Sequence, residues 1–344
     1  MLAANNGIST RYAKRTNLII RVIYMSKGKQ REVKIAAMGG LTDVPGILVG
    51  NAEDKSGRTG CTVILCPGGA VPGVDASGGN PGTQQTDSIR PGTAEYPVYG
   101  VLLTGGSFFG LPAAGGVMRW LVEQGIAEVP LVPAAVIYDL PFAKGSPPPD
   151  AALAYAACQA ANAGPVAEGN VGAGAGATVG KIYGRPMKGG LGTASLRIPG
   201  GPVVAALAVV NAVGDIWDRG RIVVGALRPD GNFVDQTRAM LDGVPSPLYY
   251  MSTTIAVVAT TERLTKAEAN RVAQLADDGM ARAISPNHTQ WDGDTIFCLS
   301  TGSHTSNMSR DAVVTIVGTA AAVVLEKAII RGALAAQSGI YAPK

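Results

Sequence analysis

Ser252-Thr253-Thr254-Ile255-Ala256-Val257-Val258-Ala259-Thr260 runs three hydroxyl side chains directly into an apolar strand. Asp292-Gly293-Asp294, ahead of Thr295-Ile296-Phe297-Cys298-Leu299, does the same with two carboxylates, and Val203–Val210 ends on Asn211. Short continuous apolar runs behind turn-forming residues predict strands buried on both faces. On an extended segment, carboxylates at i and i+2 point to one side. Like charges that close resist joint ionisation, so one pKa should rise, which suits proton transfer. From composition alone, Asp-Gly-Asp reads better as a turn or a loose cation site. A threonine opening a strand is ordinarily a β-former.

Outward from these segments, strands are predicted at Cys61–Cys66, Val98–Thr104 and Arg221–Leu227, besides the three above. A helical stretch covers Pro112–Glu123, and Pro147, Pro148 and Pro149 form a stiff spacer. Asp150 is placed to cap the alanine-rich helix Ala151–Ala163. Thr265-Lys266-Ala267-Glu268 has the form of a capping box, with Val272, Leu275, Ala276, Met280 and Ala283 following at helical spacing. A long small-residue helix spans Asp311–Leu334. Strands and helices alternate, so the class is α/β or α+β with buried sheets.

The 344 residues are 47% hydrophobic and 16% charged, which favours a large core over disorder. The apolar runs Ala312–Leu325 and Pro202–Val210 fall short of the roughly 18 residues a membrane span needs, so no membrane partner is expected. Arg21 interrupts the apolar stretch near the N-terminus, and no small-residue cleavage site follows it. Cys61, Cys66, Cys158 and Cys298 have neither zinc spacing nor disulfide density and read as core thiols of a cytoplasmic protein. Between Arg11 and Lys34, eight basic residues face Glu32 alone. Residues 1–38 are read as a basic extension, solvated or preceding a true start at Met25 or Met38, rather than a nucleic-acid arm. The catalytic body is residues 39–344.

The two histidines, His288 and His304, limit the chemistry. No His-Glu-x-x-His or Gly-x-Ser-x-Gly motif is present. His288, in a Pro-Asn-His-Thr turn, reads as a hydrogen-bonded structural residue. The run Gly172-Ala173-Gly174-Ala175-Gly176 fails as a phosphate loop, because Lys181 is followed by Ile182. It reads instead as a loop whose bare amides approach a substrate while Lys181 projects into the site. No cofactor and no metal are expected.

The chain resembles the DmpA-type L-aminopeptidase/D-esterase family, which includes β-peptidyl aminopeptidases and the nylon-oligomer hydrolase. The likeness runs from about Gly40 to about Ala335. It is carried by Gly40–Gly46, Leu103–Leu111, Val171–Lys181, Thr253–Thr260 and His288–Thr295, in that order. It implies a four-layer αββα sandwich of the N-terminal-nucleophile kind, self-cleaved into residues 39–252 and 253–344. By position, Thr253 matches the nucleophile, Asp292 and Asp294 its acidic partners, and Asn211 the oxyanion donor. Lys181 and Tyr138 match supporting polar groups. Ser252 departs from the asparagine or glycine usual before the cut, and offers a competing hydroxyl one residue early.

The implied activity is an aminopeptidase or amidase acting on small peptides, amides or linear oligoamides such as 6-aminohexanoate oligomers, as a homo-oligomer of processed units. Two alternatives are an acyltransferase of the ornithine acetyltransferase type and a non-catalytic binding protein of the same fold. Freed by cleavage, the Thr253 α-amine, with a reference pKa near ~7.7–8.0, would supply the base its hydroxyl needs.

Overall fold

The computed structural model describes residues 19–26, 29–36, 39–243 and 251–336. The strands are β1 (Ile19–Ser26), β2 (Lys29–Ala36), β3 (Leu48–Glu53), β4 (Gly60–Asp75), β5 (Thr83–Gln84), β6 (Val98–Thr104), β7 (Ala134–Val136) and β8 (Thr178–Val179). They continue with β9 (Met187–Lys188), β10 (Gly190–Arg197), β11 (Val203–Val210), β12 (Asp215–Asp218), β13 (Arg221–Val224), β14 (Ile255–Glu262), β15 (Ile284–Ser285) and β16 (Thr295–His304). The helices are α1 (Ala114–Glu123), α2 (Ala151–Ala160), α3 (Gln236–Leu241), α4 (Lys266–Ala283) and α5 (Arg310–Ala335). β1 and β2 form an antiparallel hairpin inside the basic extension. The rest of that extension, residues 1–18, 27–28 and 37–38, lies outside the described residues.

Side-chain alternation organises the body. Along β11, Val204, Ala206, Ala208 and Val210 pack with α4 and α5 residues such as Val272, Met280, Val317 and Leu325. The intervening Val203, Ala205, Leu207 and Val209 meet Ile64, Val101 and Leu103 from β4 and β6. The opposite face of β4 and β6, with Val63, Leu65 and Leu102, packs against Val117, Leu121, Ala154 and Ala157 of α1 and α2. Three stacked cores thus separate two helix pairs from two groups of strands, in a mixed α/β fold.

β4 joins the two strand groups. Its first part pairs with β3 and β6, and Val71–Asp75 pairs with β16. The register shifts between Leu65 and Ala70, where Pro67, Gly68 and Gly69 bend the strand. The other group runs β10-β11-β14-β16-β4. β14 and β16 are parallel, Ile255 opposite Thr295, and α4 makes the crossover that parallel neighbours require. The Thr265–Glu268 capping box opens α4 as predicted, and Asp150 caps α2 through the Leu153 N–H. All four cysteines are free and buried, with Cys66 and Cys298 pushed up to about 12 by burial.

One expectation about apolar segments needs correction. Helix α5 spans 26 residues and is long and apolar enough to cross a membrane by length and composition. The sequence reading stopped short because it counted only the uninterrupted run and left out the flanking turns. In the fold, 61% of the most apolar window is buried, much of it against β10, β11 and α4.

Candidate active site

The strand ladder brings the predicted residues into one row. Parallel pairing of β14 with β16 extends upstream into a bridge between Ser252 and Asp292. Antiparallel pairing of β11 with β14 sets Val209 opposite Ile255, so two residues further Asn211 faces Thr253. The Asn211 carbonyl accepts the Thr253 N–H at 2.9 Å. Asn211, Thr253 and Gly293 therefore lie side by side at the ends of three adjacent strands, with Asp292 and Asp294 on either side of the glycine.

The three adjacent hydroxyls differ sharply. Thr253 Oγ1 donates to the Ser252 carbonyl and accepts the Gly293 N–H at 3.2 Å. The same N–H lies 2.9 Å from the Ser252 carbonyl oxygen. Ser252 Oγ and Thr254 Oγ1 are buried and have no hydrogen-bond partner among the described residues. Only the Thr253 hydroxyl is aimed at a peptide carbonyl, and that carbonyl already has a backbone donor on it.

The carboxylates reach the site indirectly. Asp294 Oδ1 accepts the Thr254 N–H at 2.7 Å, and its Oδ2 accepts the His288 N–H at 3.1 Å. Asp292 accepts the Val213 N–H at 3.3 Å, and the Thr289 N–H and hydroxyl at 3.1 and 2.6 Å. Both share the His288–Thr289 turn, as carboxylates on one side of an extended segment should. Both hydrogen bonds of the Thr253 hydroxyl go to backbone groups. The pair therefore positions the backbone around the threonine.

Lys181 Nζ donates to Asn211 Oδ1 at 2.6 Å and to its carbonyl at 3.2 Å. Asn211 Oδ1 also accepts the Thr178 N–H, and Nδ2 donates to the Tyr138 carbonyl at 3.2 Å. Tyr138 lines a pocket beside Thr253 with Asn80, Gly82, Phe108, Val136 and Met251.

A model of peptidase family S58 matches residues 39–340. The chain belongs to peptidase family S58. An "uncharacterized aminopeptidase" of Mycobacterium leprae is 42% identical over 341 residues, covering 88% of this chain and 92% of the relative. A 6-aminohexanoate-oligomer endohydrolase of a Kocuria species is 35% identical, covering 85% of each chain. Among solved structures, a Burkholderia β-aminopeptidase superposes with a TM-score of 0.64 at 26% identity, covering 87% of each chain. The L-aminopeptidase D-Ala-esterase/amidase of Ochrobactrum anthropi, described as a variant of the Ntn-hydrolase fold, gives 0.64 at 24%, covering 87% of this chain and 86% of that one; it bears on fold alone. This S58 chain is a hydrolase acting on amide or peptide bonds.

The electrostatics of the S58 site follow from its burial. Desolvation raises Asp292, and the Asp294 charge beside it pushes the same way. Burial pulls the Lys181 ammonium down to about 7 against the attraction of Asp292 and Asp139. An amine poised there exchanges its proton near neutral pH. For His288, burial opposes the charged ring, but the Asp277 and Asp294 carboxylates outweigh it and raise the ring to about 10.

One sequence reading changes. The Gly172–Gly176 run does not present bare amides to an open cleft: the Gly172 N–H is held by Glu53 and the Ala173 N–H by Thr62. A Cβ at Gly174 would lie 2.4 Å from the Leu191 nitrogen, and one at Gly176 2.4 Å from Asp139 Oδ2. These glycines allow close packing that ends in Lys181. Gly293 was missed as a donor because backbone groups leave no signature in residue type; its place between two aspartates was the available signal.

Proposed function

We propose that this S58 chain cuts itself between Ser252 and Thr253 and then uses Thr253 as an amino-terminal nucleophile on small amides. The reading rests on one observation: of three consecutive hydroxyls, only Thr253 Oγ1 is engaged with the preceding carbonyl, under the Gly293 N–H. The three stacked cores support reading the fold as a four-layer αββα sandwich of the N-terminal-nucleophile kind.

In the first round, Thr253 Oγ1 attacks the Ser252 carbonyl carbon. The new C–O bond forms as the C–N bond breaks, and the hydroxyl proton ends on the Thr253 nitrogen, leaving an ester and an amine. Water then hydrolyses the ester and releases the Ser252 carboxylate. Gly293 N–H, already on the carbonyl oxygen, stabilises the charge that develops there.

In later rounds the freed α-amine takes the Thr253 hydroxyl proton as that oxygen attacks a substrate amide. Asn211 keeps one Nδ2 hydrogen on Tyr138 and offers the other to the substrate oxyanion. Lys181 fixes Asn211 by its Oδ1, so the donor faces the right way. Met251 and Ser252 help to line the pocket in the uncut chain, so cleavage opens that space for the acyl group. Phe108 and Val136 give it an apolar wall suited to short aliphatic acyl chains, and the Kocuria relative's name supports linear 6-aminohexanoate oligomers as substrates. We place the enzyme in the cytoplasm, in keeping with its four free buried thiols, as a homo-oligomer of processed units.

The test compares wild type with Thr253→Ala on alanine p-nitroanilide and linear 6-aminohexanoate trimer, read by released nitroaniline and by chromatography. Wild type should hydrolyse at least one, and the variant neither. A variant turning over at the wild-type rate removes Thr253 from the chemistry.

A further inference from the structure

The residue left unused by this scheme is His288. Its ring stands between two acids: Nδ1 lies 3.0 Å from Asp294 Oδ2, and Nε2 lies 2.9 Å from Asp277 Oδ2 on α4. Its backbone is held as well: φ is +52°, in the left-handed region, and its N–H is bound to that same Asp294 Oδ2. We propose that His288 is a positioning residue, bridging Asp294 to α4 so that the Asp294 carboxylate stays on the Thr254 N–H and fixes the peptide that carries Thr253. This rests on the reading of Thr253 as nucleophile.

The chemistry of the bridge demands a particular ring. A neutral imidazole has one N–H, and would turn a lone pair toward one of the two carboxylates. Neither ring nitrogen makes a hydrogen bond among the described residues, so the ring meets the two acids as a charge, and only the doubly protonated ring pairs with both, at 2.9 and 3.0 Å. The surroundings favour that state: Asp294 faces the ring from the Asp-Gly-Asp segment, Asp277 from α4 and Asp75 from the end of β4. Arg90 is a more remote cation acting on Asp75, and Lys181 acts from the Asp292 side. Burial opposes the charge, yet the carboxylates prevail and the ring is held at about 10. Asp294 is almost fully buried while Asp277 is partly exposed, so the histidine ties an enclosed carboxylate to one at the surface.

Removing the ring takes a cation from beside the acid pair, in which burial and the Asp294 charge already raise Asp292, so the pair is protonated more readily. The acid limb of the reaction should move to higher pH. Removing Asp277 instead leaves the ring with one carboxylate fewer, so it deprotonates at lower pH and the alkaline limb should move down. A group that merely filled space would move neither limb.

Self-cleavage supplies a readout that needs no external substrate. Full-length chain from cell-free translation is diluted into buffers from about pH 5 to pH 10, and fragment formation is followed by denaturing electrophoresis. For His288→Gln, the rate at a given pH below the midpoint of the acid limb should fall about ten-fold, matching a displacement of that limb by about one pH unit. For Asp277→Asn, the rate should match wild type near pH 7 and be lost earlier on the alkaline side. A His288→Gln profile superimposable on wild type overturns the proposal. If that variant fails to fold, an unmoved alkaline limb in Asp277→Asn overturns it alone. Thr253→Ala runs alongside: if wild type does not cleave, or this variant does, the nucleophile reading fails instead.

Discussion

Gly293 carries two duties that a side chain would obstruct. Its N–H serves both the Ser252 carbonyl and the Thr253 hydroxyl. A Cβ there would lie 2.5 Å from the Asn80 carbonyl oxygen and 2.8 Å from Thr253 Oγ1. Gly293→Ala should therefore slow self-cleavage by about 10²-fold, the usual consequence of displacing a reacting atom by about an ångström. Unchanged fragment yield over time in that variant, followed by electrophoresis, would take the amide out of the mechanism. The unpaired Ser252 and Thr254 hydroxyls make the complementary point. Sequence sets Ser252 and Thr254 on either side of Thr253, and there only the family likeness favours the middle hydroxyl. Hydrogen bonding separates them, because only the middle one meets both a donor and a carbonyl.

Among the elements, α4 matters beyond its capping box. Lys266, in its first turn, is 1% exposed. Its ammonium donates to the Ser88, Thr93 and Ala94 carbonyls and to the Thr93 hydroxyl, at 2.6 to 3.3 Å. This one side chain fastens the loop ahead of β6 to the helix. Lys266→Met keeps most of the volume but takes a buried donor from the Thr93 carbonyl and hydroxyl, while Ser88 and Ala94 each keep one other donor, so stability should fall by about 1–3 kcal/mol. Limited proteolysis should then open the chain between Ser88 and Ala94; an unaltered digestion pattern and Tm would contradict this role. Such a contact joins residues about 175 positions apart, which no local pattern reveals. Local signals served well where they were periodic or capped: Val98–Thr104 and Val203–Val210 are strands with those bounds, and the α4 cap is as read. They served poorly where sheet pairing overrides composition. β10, the Gly190–Arg197 strand, is rich in glycine and hydroxyl residues and was not predicted, and the glycines and prolines of β4 conceal a single 16-residue strand. Lys181, the one basic residue chosen at the site, came from the glycine-loop reading and from the family likeness; burial and charge, not spacing, explain why it is tuned there.

At the scale of the whole molecule, the proposed cut would fall between pieces that cannot easily part. β14 and β16 follow residue 252, yet they are flanked by β11 on one side and β4 on the other, both from the preceding part. Helices α4 and α5 from the later part cover β10 and β11 from the earlier one. The two products of that cut would share one core rather than an interface, so they should co-elute in native size-exclusion chromatography and separate only in denaturant. Elution as two independent species would show that the strands do not interleave as described. The most direct test of the account is intact mass spectrometry of the purified wild-type protein under denaturing conditions, beside Thr253→Ala. Two masses are predicted for wild type, the smaller belonging to a chain whose first residue is Thr253, and a single full-length mass for the variant. A wild-type sample that hydrolyses amides while showing only the full-length mass, or a small chain beginning at Ser252 or Thr254, would contradict it.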